Sequence, residues 1–127
     1  MTETPAAQSA TALIIEDDDD IRRLLEMTLQ QAGLQVETAS NGQDGIDRSR
    51  TAAYTMITVD LGLPDMNGLD VVRSLRAWFT GPVVVISARS AESDRQAGLD
   101  AGADLFLTKP FRPRQLREQL ATLLHAS

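Results

Sequence analysis

Five short apolar runs alternate with helix-patterned stretches along the chain, and this alternation restricts its fold more than any other feature. The runs are Ala12-Leu13-Ile14-Ile15, Gln35-Val36-Glu37-Thr38-Ala39, Met56-Ile57-Thr58-Val59, Val83-Val84-Val85-Ile86 and Leu105-Phe106-Leu107. Three are β-branched and nearly continuous, as strands covered on both faces are; the second alternates, which places it at an edge. Between them, Ile21, Leu24, Leu25, Thr28, Leu29 and Ala32 make one helical stripe, stopped by Gly33. Leu69, Val72, Leu75 and Phe79 make another, closed by Gly81-Pro82, and Leu116, Leu120, Leu123 and Leu124 make a third. Residues 43–52 are weaker, with Gly45 inside and Ile46 the only strong anchor. Residues 91–100 are the weakest, which predicts the least firmly docked helix. Strands alternating with helices predict an α/β fold: a parallel sheet, right-handed crossovers and helices on both faces.

A length of 127 residues fits one domain, here residues 11–127, behind a disordered tail at residues 1–10. The chain has no cysteine, which excludes a disulfide scaffold, a thiolate zinc site and a cysteine nucleophile. Its net charge of −6 argues against direct nucleic-acid binding. No signal peptide and no membrane-length apolar run is present, so the expectation is a soluble cytoplasmic protein. The sequence ends directly after an amphipathic stretch, and any output is expected on another chain. His125 is expected to be exposed and without a relay role. Trp78 and Phe79 read as core or cap packing, or as a partner patch if exposed together.

Ligands of an open parallel sheet bind beyond the carboxyl ends of its strands. There the chain places Glu16-Asp17-Asp18-Asp19-Asp20 after the first run, Asp60 after the third, Ser87 after the fourth and Lys109-Pro110 after the fifth. Asp18 to Asp20 read as an N-cap and a solvated first turn. Glu16 and Asp17 read equally well as helix-start residues, and Asp60 by itself as a turn residue before Pro64-Asp65-Met66-Asn67-Gly68. If the first and third strands are neighbours, Glu16, Asp17 and Asp60 converge. Three carboxylates repel unless a hard divalent cation joins them, and Mg2+ takes few carboxylates plus water and phosphate. With one such ion and the Lys109 ammonium the formal charge reaches zero, so a phosphoryl group is not repelled. Lys109 is the only lysine among twelve basic residues, which marks a position where a compact point charge is wanted. A cis bond to Pro110 would aim it inward.

The segments Leu13-Ile14-Ile15-Glu16-Asp17-Asp18, Val59-Asp60-Leu61-Gly62-Leu63-Pro64-Asp65-Met66-Asn67-Gly68, Ile86-Ser87-Ala88-Arg89 and Ala101-Gly102-Ala103-Asp104-Leu105-Phe106-Leu107-Thr108-Lys109-Pro110-Phe111 together resemble the receiver domain of two-component response regulators. The resemblance covers about residues 11–125. It implies a doubly wound (βα)5 sheet of the flavodoxin-like, chemotaxis-regulator type, with strand order 2-1-3-4-5. It further implies that Asp60 accepts a phosphoryl group from a sensor histidine kinase or phosphotransfer protein. Asp17, Asp60 and the Gly62 backbone carbonyl would ligate Mg2+, with Glu16 acting through water. Lys109 and Ser87 would hold phosphoryl oxygens, and Ser87 and Phe106 would switch a partner-binding face over residues 91–124.

Departures from the family pattern accompany this. Phe106 stands where tyrosine is commoner, so switching there would rely on packing. Gly62 and Arg89 occupy positions that tune water access in the family. Leu105, Gln115 and Gln119 replace charged residues that pair in winged-helix dimers, although Arg95 is retained. The expected state is therefore a monomer or a weak phosphorylation-dependent dimer. The chain is expected to catalyse only its own phosphotransfer and autodephosphorylation. A phosphatase would want an acid where Gly62 stands, and a flavin phosphate would be repelled by the acids. The alternative is a constitutive protein-interaction module with a vestigial phosphorylation site.

Overall fold

Each apolar run forms a strand, and each strand but the last leads into a helix that carries the chain back across the sheet. The computed structural model describes residues 10–125, and the side chains of residues 10–123. The elements in chain order are β1 (Thr11–Ile15), α1 (Asp19–Gln31), β2 (Gln35–Ala39), α2 (Gly42–Thr51), β3 (Met56–Asp60), α3 (Gly68–Leu75), β4 (Val83–Ser87), α4 (Glu92–Ala101), β5 (Leu105–Thr108) and α5 (Pro113–His125). The five strands are parallel in the order β2-β1-β3-β4-β5. The alternating second run is thus an edge strand, as its pattern predicts. Residues 1–9 of the expected tail at residues 1–10, and the side chains of Leu124 and His125, lie outside the described residues.

Alternate residues of the strands feed two cores. Ala12, Ile14, Met56, Val84, Ile86 and Leu107 pack with Leu25 and Leu29 of α1 and Leu116 and Leu120 of α5. Leu13, Ile15, Ile57, Val59, Val83, Val85 and Phe106 pack with Ile46, Val71, Val72, Leu75 and Ala101 of α2, α3 and α4. Each Val, Leu, Ile, Phe or Met side chain among them contributes about 1.5–3 kcal/mol when withdrawn from water. Gly45, unfavourable inside a helix, is explained by close approach: a Cβ there would lie 2.4 Å from Ile15 Cδ1. The weak pattern of residues 91–100 has its counterpart in α4, which buries only Gly98 and Ala101 and has Ala91 at its N-cap with no side-chain bond.

The α3 stripe reaches Phe79, but regular helix stops at Leu75. Phe79 N still donates to Leu75 O at 2.8 Å, so the ring packs on the core from a turn. Arg76 organises that turn. Its guanidinium donates to the carbonyls of Gly102, Phe79 and Gly81 and to Asp104 Oδ2, at 2.7 to 3.0 Å. Trp78 is half-exposed at 37 %, donates its indole N–H to Ser49 Oγ and carries the Arg50 guanidinium 4.7 Å above its ring. Trp78 and Phe79 therefore do not form one exposed pair.

Candidate functional site

The site residues stand where the strand ladders run out. Glu16 N donates to Ala39 O, Leu61 N to Ile86 O and Lys109 N to Ser87 O, each one step past the regular pairing. Because β1 lies between β2 and β3, Glu16 and Asp17 leave the sheet beside Asp60. Carboxylate oxygens of all three lie within 4.8 Å of one another. Glu16, Asp17, Asp60, Gly62, Ser87 and Lys109 line one cleft of about 410 Å³. The sequence-derived candidates are thus brought together, except Phe106.

Burial gives these charges their strength. Glu16 is 1 % exposed and Asp60 5 %, whereas Asp17 is exposed. Lys109 Nζ sits 3.3 Å from both Glu16 Oε1 and Asp60 Oδ1. The geometry is a hydrogen bond toward Asp60, while Glu16 Oε1 accepts no hydrogen bond despite being buried. Burial, and then the neighbouring Asp60 charge, push the Glu16 carboxyl up to about 7. Desolvation and then Asp60 also raise Asp17. Desolvation alone would lower the Lys109 ammonium, but the Glu16 and Asp60 charges outweigh it and raise it. A buried, unsatisfied carboxylate oxygen beside two further acids is a hard oxygen donor set short of positive charge. A divalent cation fits it.

Ser87 is buried, and its Oγ accepts the Arg89 N–H at 2.9 Å, which leaves the hydroxyl proton free to donate into the cleft. Arg89 pairs loosely with Asp94 at 3.8 Å, and both line the same cleft. Asp18 acts as the expected N-cap, accepting from Asp20 N and Ile21 N. Asp19 pairs with Arg22, outside the cluster of Glu16, Asp17 and Asp60. The Lys109–Pro110 bond is cis.

Phe106 belongs to a different place. It is buried on β5 and meets α4 at Gly98, where a Cβ would lie 2.9 Å from the ring. With Arg95, Gln115 and Gln119 it lines a groove of about 350 Å³ between α4, β5 and α5. Among the described residues Arg95 forms no ion pair.

Sequence reasoning missed three supports. Arg22 Nη1 donates to the Glu16 carbonyl at 3.1 Å and tethers the β1–α1 loop. Asp65 accepts the Gly42 and Gln43 N–H groups of α2. Gly68 lets α3 begin directly against the end of β3, since a Cβ there would lie 2.5 Å from the Asp60 backbone oxygen and 2.6 Å from Leu61 Cα. Only the last had a visible signal, a glycine at a helix start. Because the obstructing atoms are backbone, Gly68→Ala is expected to destabilise the fold by about 1–3 kcal/mol. It should also displace Asp60. A lowered urea midpoint checks the first effect; an unchanged midpoint would show that the loop yields freely.

Comparison with known proteins agrees with this geometry. The family model of the response regulator receiver domain matches residues 12–121. The chain is 46% identical over 112 residues to the KDP operon transcriptional regulatory protein KdpE of Escherichia coli, covering 88% of this chain and 50% of that protein. It is 38% identical over 112 residues to the response regulator ArlR of Staphylococcus aureus, covering 88% and 51%. The chain thus spans about half the length of these curated relatives. Among solved structures, Vibrio cholerae chemotaxis protein CheY4 superposes with a TM-score of 0.84 at 30% identity, covering 91% of this chain and 98% of that one. With the sheet order, the acid cluster and the family match in agreement, the chain belongs to the response regulator receiver domains of two-component signalling.

Proposed function

We propose that Asp60 is the phosphoacceptor of this receiver, and that the donor is a phosphohistidine on a sensor histidine kinase or phosphotransfer protein. An Asp60 carboxylate oxygen forms the new bond to phosphorus while the phosphorus–nitrogen bond breaks. The electron pair stays on the histidine ring, and the product is an acyl phosphate. The observation that carries this reading is the convergence of Glu16, Asp17 and Asp60 with one ammonium, Lys109, 3.3 Å from two of them.

Asp17, Asp60 and the Gly62 carbonyl would hold Mg2+, with Glu16 reaching it through water. When bound, the ion offsets charge on the phosphoryl oxygens. Lys109 supports the same oxygens as a point charge, and the Ser87 hydroxyl donates to one of them. Hydrolysis returns the carboxylate: water attacks phosphorus, the bond to Asp60 breaks, and inorganic phosphate leaves. The domain, residues 11–127, catalyses only these two steps on itself.

The downstream consequence is a change in the face over residues 91–124. There α4 is lightly docked and Phe106 packs beneath it against Gly98. Ser87 and Phe106 would couple phosphorylation to that face. No helix among the described residues is long and apolar enough to cross a membrane. A cytoplasmic monomer, or a weak phosphorylation-dependent dimer, that binds an effector protein and no nucleic acid fits this reading.

Acetyl phosphate replaces the kinase in the test. The expected result is Mg2+-dependent incorporation of one phosphoryl group per chain, released by mild base as an acyl phosphate is. Base-stable labelling, or none with Mg2+ present, would overturn the proposal. In the latter case the constitutive interaction module stands.

A further inference from the structure

Asp65 is the only acid in the loop between β3 and α3, and its carboxylate turns away from the cleft toward α2. Its Oδ1 accepts the Gly42 N–H at 2.7 Å and its Oδ2 the Gln43 N–H at 2.9 Å. Asn41 Oδ1 accepts the Asp44 N–H at 2.8 Å. Together they satisfy the first three N–H groups of α2, which otherwise have no partner inside the helix. The carboxylate also sits at the positive end of the helix dipole. Both N–H groups hold the Asp65 carboxyl below its ordinary value of 3.8. Met66 adds an apolar contact, its side chain filling the space beside Gly42 that a Cβ would need.

At the other end of this loop is Gly62. It has no side chain to pack, and a Cβ built on it would meet only the Asp60 carboxylate oxygens, at 3.8 and 3.9 Å. A glycine with open surroundings loses the most freedom when its carbonyl is fixed. Its direction is therefore set by what holds its neighbours. One tie is its own N–H, which donates to Asp60 Oδ1 at 3.2 Å. Another is Leu63, buried in the core. The third is Asp65, three residues on.

We infer that Asp65 is a positioning residue for the metal site: by clamping the loop onto the N-terminus of α2, it presents the Gly62 carbonyl to Mg2+. This rests on the receiver reading above. Asp65 is not among the residues lining the cleft, and its exposed carboxylate accepts two charge-assisted hydrogen bonds from α2. Releasing it would leave the loop around Gly62 held from the Asp60 and Leu61 side, by Leu63 and by the Met66 contact, without its polar tie to α2.

The test compares Asp65→Ala with Asn41→Ala in the full chain, titrating Mg2+ and following the amide resonances of Asp17, Asp60 and Gly62. Asn41→Ala removes a cap from the same helix without touching the loop. The expected result is an apparent Mg2+ Kd raised about threefold to tenfold in Asp65→Ala, at or below the usual scale for outer-sphere supports of metal ligands. Asp65→Asn, with one carbonyl oxygen to replace two acceptors, should fall between. Asn41→Ala should bind Mg2+ as the unaltered chain does. In labelling by acetyl phosphate, Asp65→Ala should need more Mg2+ for half-maximal rate yet reach the same rate at saturation. If Asp65→Ala binds as tightly as the unaltered chain, or if Asn41→Ala weakens binding equally, Asp65 is only a helix cap and the inference fails. An unaltered chain that binds no Mg2+ overturns the receiver reading and this inference together.

Discussion

Asp60→Asn is expected to take up no phosphoryl group from acetyl phosphate, with or without Mg2+, while keeping its fold. Asparagine has the same shape, so the space at the end of β3 stays filled. Its amide oxygen still accepts the Gly62 N–H that Asp60 Oδ1 accepts at 3.2 Å. What disappears is the carboxylate: an amide oxygen is a poor nucleophile and yields no acyl phosphate. The electrostatic consequence runs in the protein's favour. The Asp60 charge is the second cause, after burial, of the upward push on Glu16, and a contributor to that on Asp17. Removing it relieves a repulsion among buried like charges. The urea midpoint of metal-free Asp60→Asn should therefore equal or exceed that of the unaltered chain. Intact-mass measurement after acetyl phosphate treatment checks the first result. A phosphoryl adduct that survives the substitution would move the acceptor to another acid of the cluster.

Lys109→Ala is expected to separate metal binding from chemistry. The ammonium lies 3.3 Å from Glu16 and from Asp60 and is raised by both, so in the metal-free protein it neutralises part of the cluster. Without it Mg2+ faces less competing positive charge, and its affinity should hold or rise. Phosphoryl transfer should slow by about 10²–10³-fold, the scale of losing one preorganised donor to developing charge. Lys109→Arg should not restore the rate. A planar guanidinium is broader than an ammonium and spreads its charge over a fork. Parallel Mg2+ titration and labelling rates decide the matter. A rate within about threefold of the unaltered chain would show that Lys109 contributes no stabilisation of the kind donors supply in transition states.

How much of this was legible beforehand depends on the range of the interaction. The strands, the α1 stripe and the Asp18 cap follow from residues within one or two turns of each other, where periodicity and capping act directly. The apolar stripe continues to Phe79, four residues past the end of α3 at Leu75, into a turn that Arg76 ties to Gly102 and Asp104, residues far along the chain. The same applies to Asp65, which reads in isolation as a turn residue. Its partners lie 22 and 23 positions earlier.

The charge count shows the division most clearly. Glu16 to Asp20 and Asp60 account for the whole excess of acids; without those six, acids and bases stand at twelve each. That much is sequence, as is the placement of acids, serine and lysine at strand ends, because each follows its own apolar run. The residues alone left open whether β1 and β3 are neighbours; the motif resemblance supplied that order. Their pairing brings Glu16 and Asp17 to Asp60 across more than forty positions and buries two of the three. Side-chain pattern encodes which segments become strands, since burial of one face is a local property. Which strands lie side by side, and how far burial shifts their charges, depends on packing the whole chain, and only the tertiary structure decides it.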